Sequence, residues 1–322
     1  MSAAVPATVD YSHAVTCVDT EQVRPGQACC YLLGSGGQYA FIDCGTSLSV
    51  PGLKAVLAAR GIGVEQIAYV MPTHVHLDHA GGAGLLMREC PNAKLVVHPR
   101  GAKHLIDPTA LIAGATGVYG PERMAAMYGE IVPIDAARVI VADDGYELDF
   151  NGRSLLFIDA PGHARHHYAI WDARSRGWFA GDTFGLSYRV FDGPNGATLL
   201  PTTTPVQFEP EAWLQTLDRF LARDPAHMYL THYGRVGNVP QLAADLRGDL
   251  AMYQSIALHL ADVPDRHARI VEALTLHALE ELAAMAAPVS DDTARDWLAF
   301  DLELNAQGLG VWLDRQKPKA AA

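Results

Sequence analysis

The sequence lacks an apolar run long enough to span a bilayer. None of its uninterrupted hydrophobic stretches approaches the roughly 20 residues that a membrane helix needs. Residues 1–15 contain neither the basic segment nor the apolar segment of a secretory leader. We therefore expect a cytoplasmic protein that makes no contact with membranes.

Positive charge is also scarce. The 322 residues include 24 Lys and Arg against 36 Asp and Glu, which gives a formal net charge of −12. A surface of this sign repels phosphate backbones, so nucleic acid is not an expected partner. The hydrophobic content of 49% is sufficient for one large core or two modest cores, which excludes disordered and fibrous classes of protein.

Cysteine offers no framework either. The five cysteines are an odd number and show no CxxC spacing, so neither a set of disulfides nor a thiolate zinc site is predicted. We expect buried, reduced thiols. Histidine, by contrast, occurs 14 times, and several of the histidines belong to a pattern described below.

Short β-rich runs bounded by Gly, Pro or Asp alternate with helical patterns along the first two thirds of the chain, which predicts a mixed α/β fold. The pair Asn151-Gly152 between two alternating runs predicts a two-residue hairpin. After residue 235 the spacing of apolar residues is helical only. We predict a catalytic domain over residues 1–235 and a helical extension packed on it over residues 236–322, which serves as a covering layer or as the contact of a homo-oligomer.

The densest group of metal-binding side chains follows the apolar run at residues 67–71. Four of them lie within six residues, on a predicted strand-to-helix loop: His74, His76, Asp78 and His79. Imidazole and carboxylate ligands together suit Zn, Fe or Mn. Three further candidates each end a β-like run and so can converge on one sheet edge: His163, Asp182 and His232.

These motifs resemble the signature of the metallo-β-lactamase superfamily, in its glyoxalase II and lactonase-like branch. The resemblance runs from residue 28 to residue 234. It includes T-H-x-H-x-D-H from Thr73, I-D-C-G from Ile42, Gly162-His163, Gly181-Asp182-Thr183 and Thr231-His232. It implies an αβ/βα sandwich with a metal site at one edge of its two sheets.

The resemblance also implies a set of roles for the individual residues. His74, His76 and His163 would hold a first metal ion, and Asp78, His79 and His232 would hold a second. Asp182 would bridge the two ions, while Asp43 would orient the ligand loop without touching a metal. The expected cofactors are two divalent ions, most simply Zn, with Fe or Mn as alternatives.

A pair of ions of this kind activates a shared water as a bridging hydroxide, so no serine or cysteine nucleophile is needed. We expect a metallo-hydrolase that cleaves a small ester, lactone or thioester, with Asp78 and Asp182 in the catalytic centre. The acidic charge opposes polyanionic substrates. Residues 236–322 carry 7 Lys and Arg against 13 Asp and Glu, which disfavours a glutathione thioester.

Two other functions stay open at this stage. One is a mononuclear iron enzyme of the persulfide dioxygenase type, which retains much of the same signature. The other is a non-catalytic member of the superfamily that uses the pocket to bind a ligand. The intact ligand set argues against the non-catalytic member. The number of bound metal ions distinguishes the dinuclear hydrolase from the mononuclear iron enzyme.

Two segments are expected to shape the substrate pocket. Residues 105–131 are longer than a usual βα connection. They form either a helical lid that presents side chains to the pocket or an insertion that these side chains pack onto the core: Tyr119, Met124, Met127 and Tyr128. Phe184, Tyr188 and Phe191 follow Asp182 and would form an apolar wall, with Tyr188 as a hydrogen-bond donor to a developing oxyanion.

The neighbouring pair His166 and His167 has two interpretations. It either supports the metal ligands from behind or is a solvated pair at the surface.

Overall fold

The computed structural model describes residues 4–203 and 206–317, apart from the side chains of Val118 and Tyr119. Its strands are β1 Thr8–Tyr11, β2 Val15–Asp19, β3 Cys29–Ser35, β4 Gln38–Ile42, β5 Ile67–Met71, β6 Lys94–Val97, β7 Val139–Val141, β8 Glu147–Phe150, β9 Arg153–Asp159, β10 Tyr168–Asp172, β11 Gly177–Gly181, β12 His227–Leu230 and β13 Gly234–Val236.

Its α-helices are α1 Val50–Ala59, α2 Leu77–Ala80, α3 Ala83–Glu89, α4 Pro99–Ile106, α5 Thr109–Tyr119, α6 Pro121–Tyr128, α7 Pro210–Leu221, α8 Val239–His259, α9 Arg266–Ala284 and α10 Asp291–Gln316. Across the two described ranges, we find no helix with the length and apolar character of a membrane span.

The chain divides into two compact units. Unit 1 comprises Met1–Asp159, His166–Gly181 and Ala226–Arg235. Unit 2 comprises Ala160–Arg165, Asp182–Pro225 and Val236–Ala322. The boundary predicted after residue 235 is one of the junctions between these units, and the assignment of residues 236–322 to a separate domain stays a prediction.

Unit 1 is built on two mixed sheets. One has seven strands in the order β1-β2-β3-β4-β5-β6-β7, and the other has six in the order β13-β12-β11-β10-β9-β8. Apolar side chains from both sheets, including Tyr31, Phe157 and Phe179, form a shared buried core. A second core lies between the seven-stranded sheet and its helices, where Leu53 and Leu86 pack against strand residues.

Each sheet contains a parallel strand pair whose carboxyl ends lie side by side. In the seven-stranded sheet, Ile42 at the end of β4 is opposite Met71 at the end of β5. In the six-stranded sheet, Gly181 at the end of β11 is opposite Leu230 at the end of β12. The motif residues come directly after these strand ends. Ligands commonly bind at the carboxyl ends of parallel strands, so this is a favourable position for a site.

Several elements confirm the sequence predictions and others correct them. Strand β5 has the predicted bounds, and the predicted hairpin joins β8 to β9, with positive φ at both Asn151 and Gly152. The patterns did not predict β1, β2 or β13. The helical spacing predicted after residue 235 corresponds to α8, α9 and α10, the last of which extends to Gln316.

A fully buried ion pair joins Arg153 of β9 to Asp172 of β10 within the six-stranded sheet of unit 1, and Arg153 also bonds to the backbone of the seven-stranded sheet. Nε and Nη2 of Arg153 donate to the two carboxylate oxygens of Asp172 at 3.0 and 2.5 Å, and Nη1 donates to the carbonyl oxygens of His13 and Gly34. Both side chains are inaccessible to solvent. Burial opposes ionisation of Asp172, yet the hydrogen bonds and the charge of Arg153 outweigh it and lower the pKa of the carboxyl group.

Replacing Arg153 by alanine tests this pair. The Arg153→Ala variant should lose about 3–5 kcal/mol of unfolding free energy, because it leaves the carboxylate of Asp172 buried without its cation. In the wild-type protein, a lowered pKa means that the contribution of Asp172 is complete above its unfolded pKa and is lost as the pH falls through the folded pKa. Urea unfolding at several pH values measures both effects.

The matched control is Arg247→Ala, which breaks an exposed pair with Asp218 and should cost less than about 1 kcal/mol. Equal losses in the two variants would contradict the assignment of a structural role to the buried pair.

Candidate metal centre

The loop that carries the histidine motif is fixed at both of its ends. Strand β5 stops at Met71 because Pro72 has no N–H to donate to the sheet. The motif then enters the short helix α2, whose first residue Leu77 packs against Met124 and Tyr128 of α6. The histidine-bearing turn is therefore held between a strand end and a small apolar cluster.

Asp43, directly after β4, is a buried hydrogen-bond acceptor for this loop, and we call its carboxylate the hub because it contacts Thr73, His79 and Thr231. Its Oδ1 accepts hydrogen bonds from the N–H and the hydroxyl of Thr73 at 2.6 and 3.0 Å. Its Oδ2 accepts from the hydroxyl of Thr231 at 2.6 Å and lies 2.9 Å from Nδ1 of His79. Asp43 is 1% exposed, so these donors replace the water that a charged carboxylate requires. Its predicted orienting role is consistent with these contacts.

Oxygen acceptors set the protonation of two imidazoles in unit 1. Nδ1 of His79 faces the Asp43 carboxylate, and Nδ1 of His232 lies 2.9 Å from the carbonyl oxygen of Gln27. A carboxylate and a carbonyl only accept hydrogen bonds, so each Nδ1 carries the proton. In the neutral form of either ring, the lone pair is then on Nε2, the atom that a metal would bind.

Both of these Nε2 atoms point toward one carboxylate. Oδ2 of Asp78 lies 3.3 Å from Nε2 of His232 and 3.6 Å from Nε2 of His79. These separations exceed the usual length of an N–H···O hydrogen bond. Asp78, His79 and His232 form a group whose donor atoms all lie within 4.8 Å of one another and can hold a metal ion.

The other two motif histidines form a pair beside this group. Nε2 of His74 lies 2.8 Å from Nδ1 of His76. The ring of His74 also lies between the rings of His79 and His167, with centroid separations of 4.0 and 4.8 Å. His166 packs edge-on against His76. His166 and His167 are both buried, so the solvated interpretation of that pair is wrong.

Unit 2 contains the remaining two predicted ligands. Nδ1 of His163 lies 2.8 Å from the carbonyl oxygen of Thr202, which places the proton on Nδ1 and the lone pair on Nε2. That Nε2 is 3.5 Å from Oδ2 of Asp182. Both side chains are almost completely buried.

Glycine precedes each of these two ligands for steric reasons. Gly162 has φ +131°, and a Cβ there would lie 2.4 Å from Cβ of Trp213. Gly181 has φ +50°, and a Cβ there would meet Nε2 of His167 at 2.5 Å. No larger residue fits at either position without displacing a side chain next to the candidate ligands.

The structure does not place the Tyr188 hydroxyl as the sequence suggested. Tyr188 is buried, and its hydroxyl donates to Oδ2 of Asp301 at 2.8 Å. A tyrosine has a single O–H to donate, so this contact competes with the predicted donation to an oxyanion. Phe191 is buried next to Tyr188 and Trp297.

Residues 105–131 fold as the helices α5 and α6 together with the end of α4. Met124 and Tyr128 are buried against Leu77, and Met127 is half-buried at the same cluster, as the packed interpretation of this segment expects. The predicted contribution of the Tyr119 side chain lies outside the described residues. Opening of the segment as a lid stays a prediction.

A second group of possible ligands in unit 2 differs from the motif residues. Nε2 of His277 lies 2.8 Å from Oδ1 of Asp249, which is an ordinary hydrogen-bond length, and Glu281 is close by. The hydrogen bond to Asp249 raises the pKa of His277 and favours the protonated imidazolium, which has no lone pair for a metal. This group is therefore an ion pair between α8 and α9.

Asp43→Asn tests the role of the hub. An amide has one acceptor oxygen where the carboxylate has two, so it cannot accept from both Thr73 and the Thr231–His79 side. We expect the affinity for Zn²⁺ to fall by about 10- to 100-fold, measured by competition with a chromophoric chelator. The control Asp10→Asn alters an exposed carboxylate and should leave the affinity unchanged. Wild-type affinity in Asp43→Asn would contradict the role of the hub.

Comparison with known proteins gives the same family as the motifs. The model of the metallo-beta-lactamase superfamily matches residues 23–232. The metallo-beta-lactamase fold-containing protein ST1585 of Sulfurisphaera tokodaii is 28% identical over 203 residues, which are 61% of this chain and 72% of that protein. The beta-lactamase-like protein 2 homolog of Caenorhabditis elegans is 28% identical over 166 residues, 50% of this chain, and the match spans about half (46%) of its length.

Solved structures show the same architecture. The crystal structure of ST1585 aligns with a TM-score of 0.65 at 21% identity, over 93% of this chain and 99% of that one. A metallo-beta-lactamase family protein from Thermus thermophilus aligns with a TM-score of 0.58 at 22% identity, over 92% and 91% of the two chains. The two mixed sheets with flanking helices are thus the α/β sandwich that the motifs implied, and the chain belongs to the metallo-beta-lactamase superfamily.

Proposed function

We propose that this protein is a dinuclear metal-dependent hydrolase that cleaves a small ester, lactone or thioester. The observation that carries the proposal is the orientation of three buried or nearly buried imidazoles. His79, His163 and His232 each turn Nδ1 toward an oxygen that only accepts hydrogen bonds. Each therefore holds a lone pair on Nε2, which is the arrangement of metal-binding histidines.

The spacing of the donor atoms supports this assignment. Nitrogen and oxygen ligands at about 2.0–2.2 Å from a tetrahedral ion are about 3.3–3.6 Å apart. The measured pairs of Nε2 and Asp oxygen atoms are 3.3, 3.5 and 3.6 Å apart. Imidazole and carboxylate without thiolate favour Zn, Fe or Mn over softer ions.

The division of ligands between two ions follows the superfamily. We assign His74, His76 and His163 to one ion and Asp78, His79 and His232 to the other, with Asp182 bridging them. Chain connectivity supports the inclusion of the two ligands from unit 2. Asp182 directly follows the last residue of β11, and His163 is four residues beyond the last residue of β9.

The two ions would activate water and polarise the carbonyl group of the substrate. The protein residues would supply the rigid frame: Asp43 holds the motif loop, and Asp78 and Asp182 provide the negative charge that retains the ions. Tyr188 is not included as an oxyanion donor, because its hydroxyl donates to Asp301.

The substrate class is argued from charge and from apolar surface. The net charge of −12 disfavours polyanions. Around Leu77, immediately before Asp78, half-buried apolar side chains gather from α5 and α6, including Leu111 and Met127. These apolar side chains support our proposal of a substrate with an uncharged acyl or ring component, as in the lactonase-like branch of the superfamily.

Metal analysis tests the proposed stoichiometry. Wild-type protein saturated with Zn²⁺, Fe²⁺ or Mn²⁺ and desalted should hold close to two equivalents per chain. Asp182→Ala should hold one or fewer, since it removes the shared ligand. His267→Ala changes an exposed histidine and should match the wild type. A wild-type content near one, with activity only in the iron form, would point instead to a mononuclear iron oxygenase.

A panel of substrates tests the bond type. We expect kcat/KM for a lactone and for an aryl ester to exceed the value for an aryl phosphodiester by at least tenfold, about 1.4 kcal/mol of transition-state preference. A glutathione thioester should be cleaved more slowly than the lactone and the aryl ester. A leading phosphodiester would refute the carbonyl assignment. Two bound ions with no turnover of any substrate would favour a ligand-binding member of the superfamily.

A further inference from the structure

The backbone around Thr202 has a specific contact with a candidate metal ligand. The carbonyl oxygen of Thr202 accepts the hydrogen bond from Nδ1 of His163 at 2.8 Å, and both residues are buried. This contact fixes the tautomer and the orientation of the ring. Any displacement of the Thr202 carbonyl would therefore change the direction of the His163 lone pair.

The side chain of Asn305 holds the backbone on both sides of Thr202. Its Oδ1 accepts from the N–H of Thr203 at 2.6 Å, and its Nδ2 donates to the carbonyl oxygen of Pro201 at 2.9 Å. The hydroxyl of Thr203 donates to the main-chain carbonyl of Asn305 at 3.0 Å. Asn305 belongs to α10, about a hundred residues later in the chain.

Helix formation and apolar packing do not account for this asparagine. Asn is an unfavourable residue in a helix interior, and a buried amide destabilises the fold unless it is hydrogen-bonded. Asn305 is 2% exposed and lies in the middle of a helix of 26 residues. Its amide oxygen and amide nitrogen both bond to the segment that contains Thr202, so its polarity serves that segment.

The same face of α10 makes two further contacts with the chain that follows Asp182. Asp301, one turn before Asn305, accepts the hydroxyl of Tyr188 at 2.8 Å. Trp297, one turn earlier again, packs against the rings of Tyr188 and Phe191. Positions four residues apart share a helix face, so the three side chains form one continuous stripe.

We propose that Asn305 is a positioning residue for the metal ligand His163, acting through the carbonyl group of Thr202. The inference rests on the proposed function, because His163 is a metal ligand only if that function holds. The C-terminal helix α10 then contributes to metal binding although none of its side chains is a ligand.

The first arm of the test uses metal-free protein. In long-range ¹H–¹⁵N spectra, wild-type His163 should be the Nδ1-protonated tautomer, with an exchange-protected Nδ1 proton. Asn305→Ala should mix the tautomers and lose this protection. Asn195→Ala is the control, since it removes a single exposed hydrogen bond, which the side-chain amide donates to the carbonyl oxygen of Ala284 in the same unit. It should leave the His163 signals unchanged.

The second arm measures the metal. Titration with Co²⁺, followed by its visible absorption, should show a loss of affinity of about 10- to 100-fold for one ion in Asn305→Ala, and none in Asn195→Ala. Asn305→Asp keeps the acceptor for Thr203 but turns a carboxylate oxygen toward the carbonyl oxygen of Pro201, which repels it, so the affinity of this variant should also fall. This variant also decides the question if Asn305→Ala does not fold.

The outcomes separate the two proposals. Wild-type His163 signals and wild-type Co²⁺ affinity in the folded Asn305 variants would overturn the positioning role while leaving the proposed function intact. A wild-type protein that binds no Co²⁺ would overturn the proposed function. In that case the spectra of metal-free protein would still decide whether Asn305 controls the tautomer of His163.

Discussion

The buried carboxylate of Asp43 is the interaction on which the candidate centre depends. It accepts hydrogen bonds from the loop after β5, through Thr73, and from the loop after β12, through Thr231. Those loops belong to different sheets of unit 1. A buried charge must be compensated by donors, so the requirement to satisfy Asp43 fixes the two loops relative to each other and leaves His79 with a single favourable tautomer.

The same principle recurs at the other candidate ligands. Gln27 directs His232 from a loop before β3, and Thr202 directs His163 from a loop that Asn305 holds. In each case an oxygen of the protein accepts a hydrogen bond from Nδ1, which leaves the lone pair of the neutral ring on Nε2, the atom available to a metal ion. Hydrogen bonds that orient a ligand in this way are characteristic of a preorganised centre.

The sequence predicted what depends on local pattern. Strand β5 follows from an apolar run, the Asn151-Gly152 hairpin follows from turn chemistry, and the candidate ligands were identified from the motifs. Strands β1 and β2 were missed because the turn between them, at His13 and Ala14, has positive φ without a glycine. Asn305 gave no signal, because its role depends on partners about a hundred residues away, and α10 continues through Gly308 because packing outweighs helix propensity.

X-ray absorption at the zinc edge of Zn²⁺-loaded protein shows directly whether the histidines and carboxylates of the motifs hold the ions. We expect only nitrogen and oxygen neighbours at about 2.0–2.2 Å, with outer-shell scattering from several imidazoles per ion. All five cysteines are buried and form no disulfide, so sulfur is the alternative ligand that the chain offers. A sulfur shell near about 2.3 Å, or the absence of imidazole scattering, would contradict the assignment.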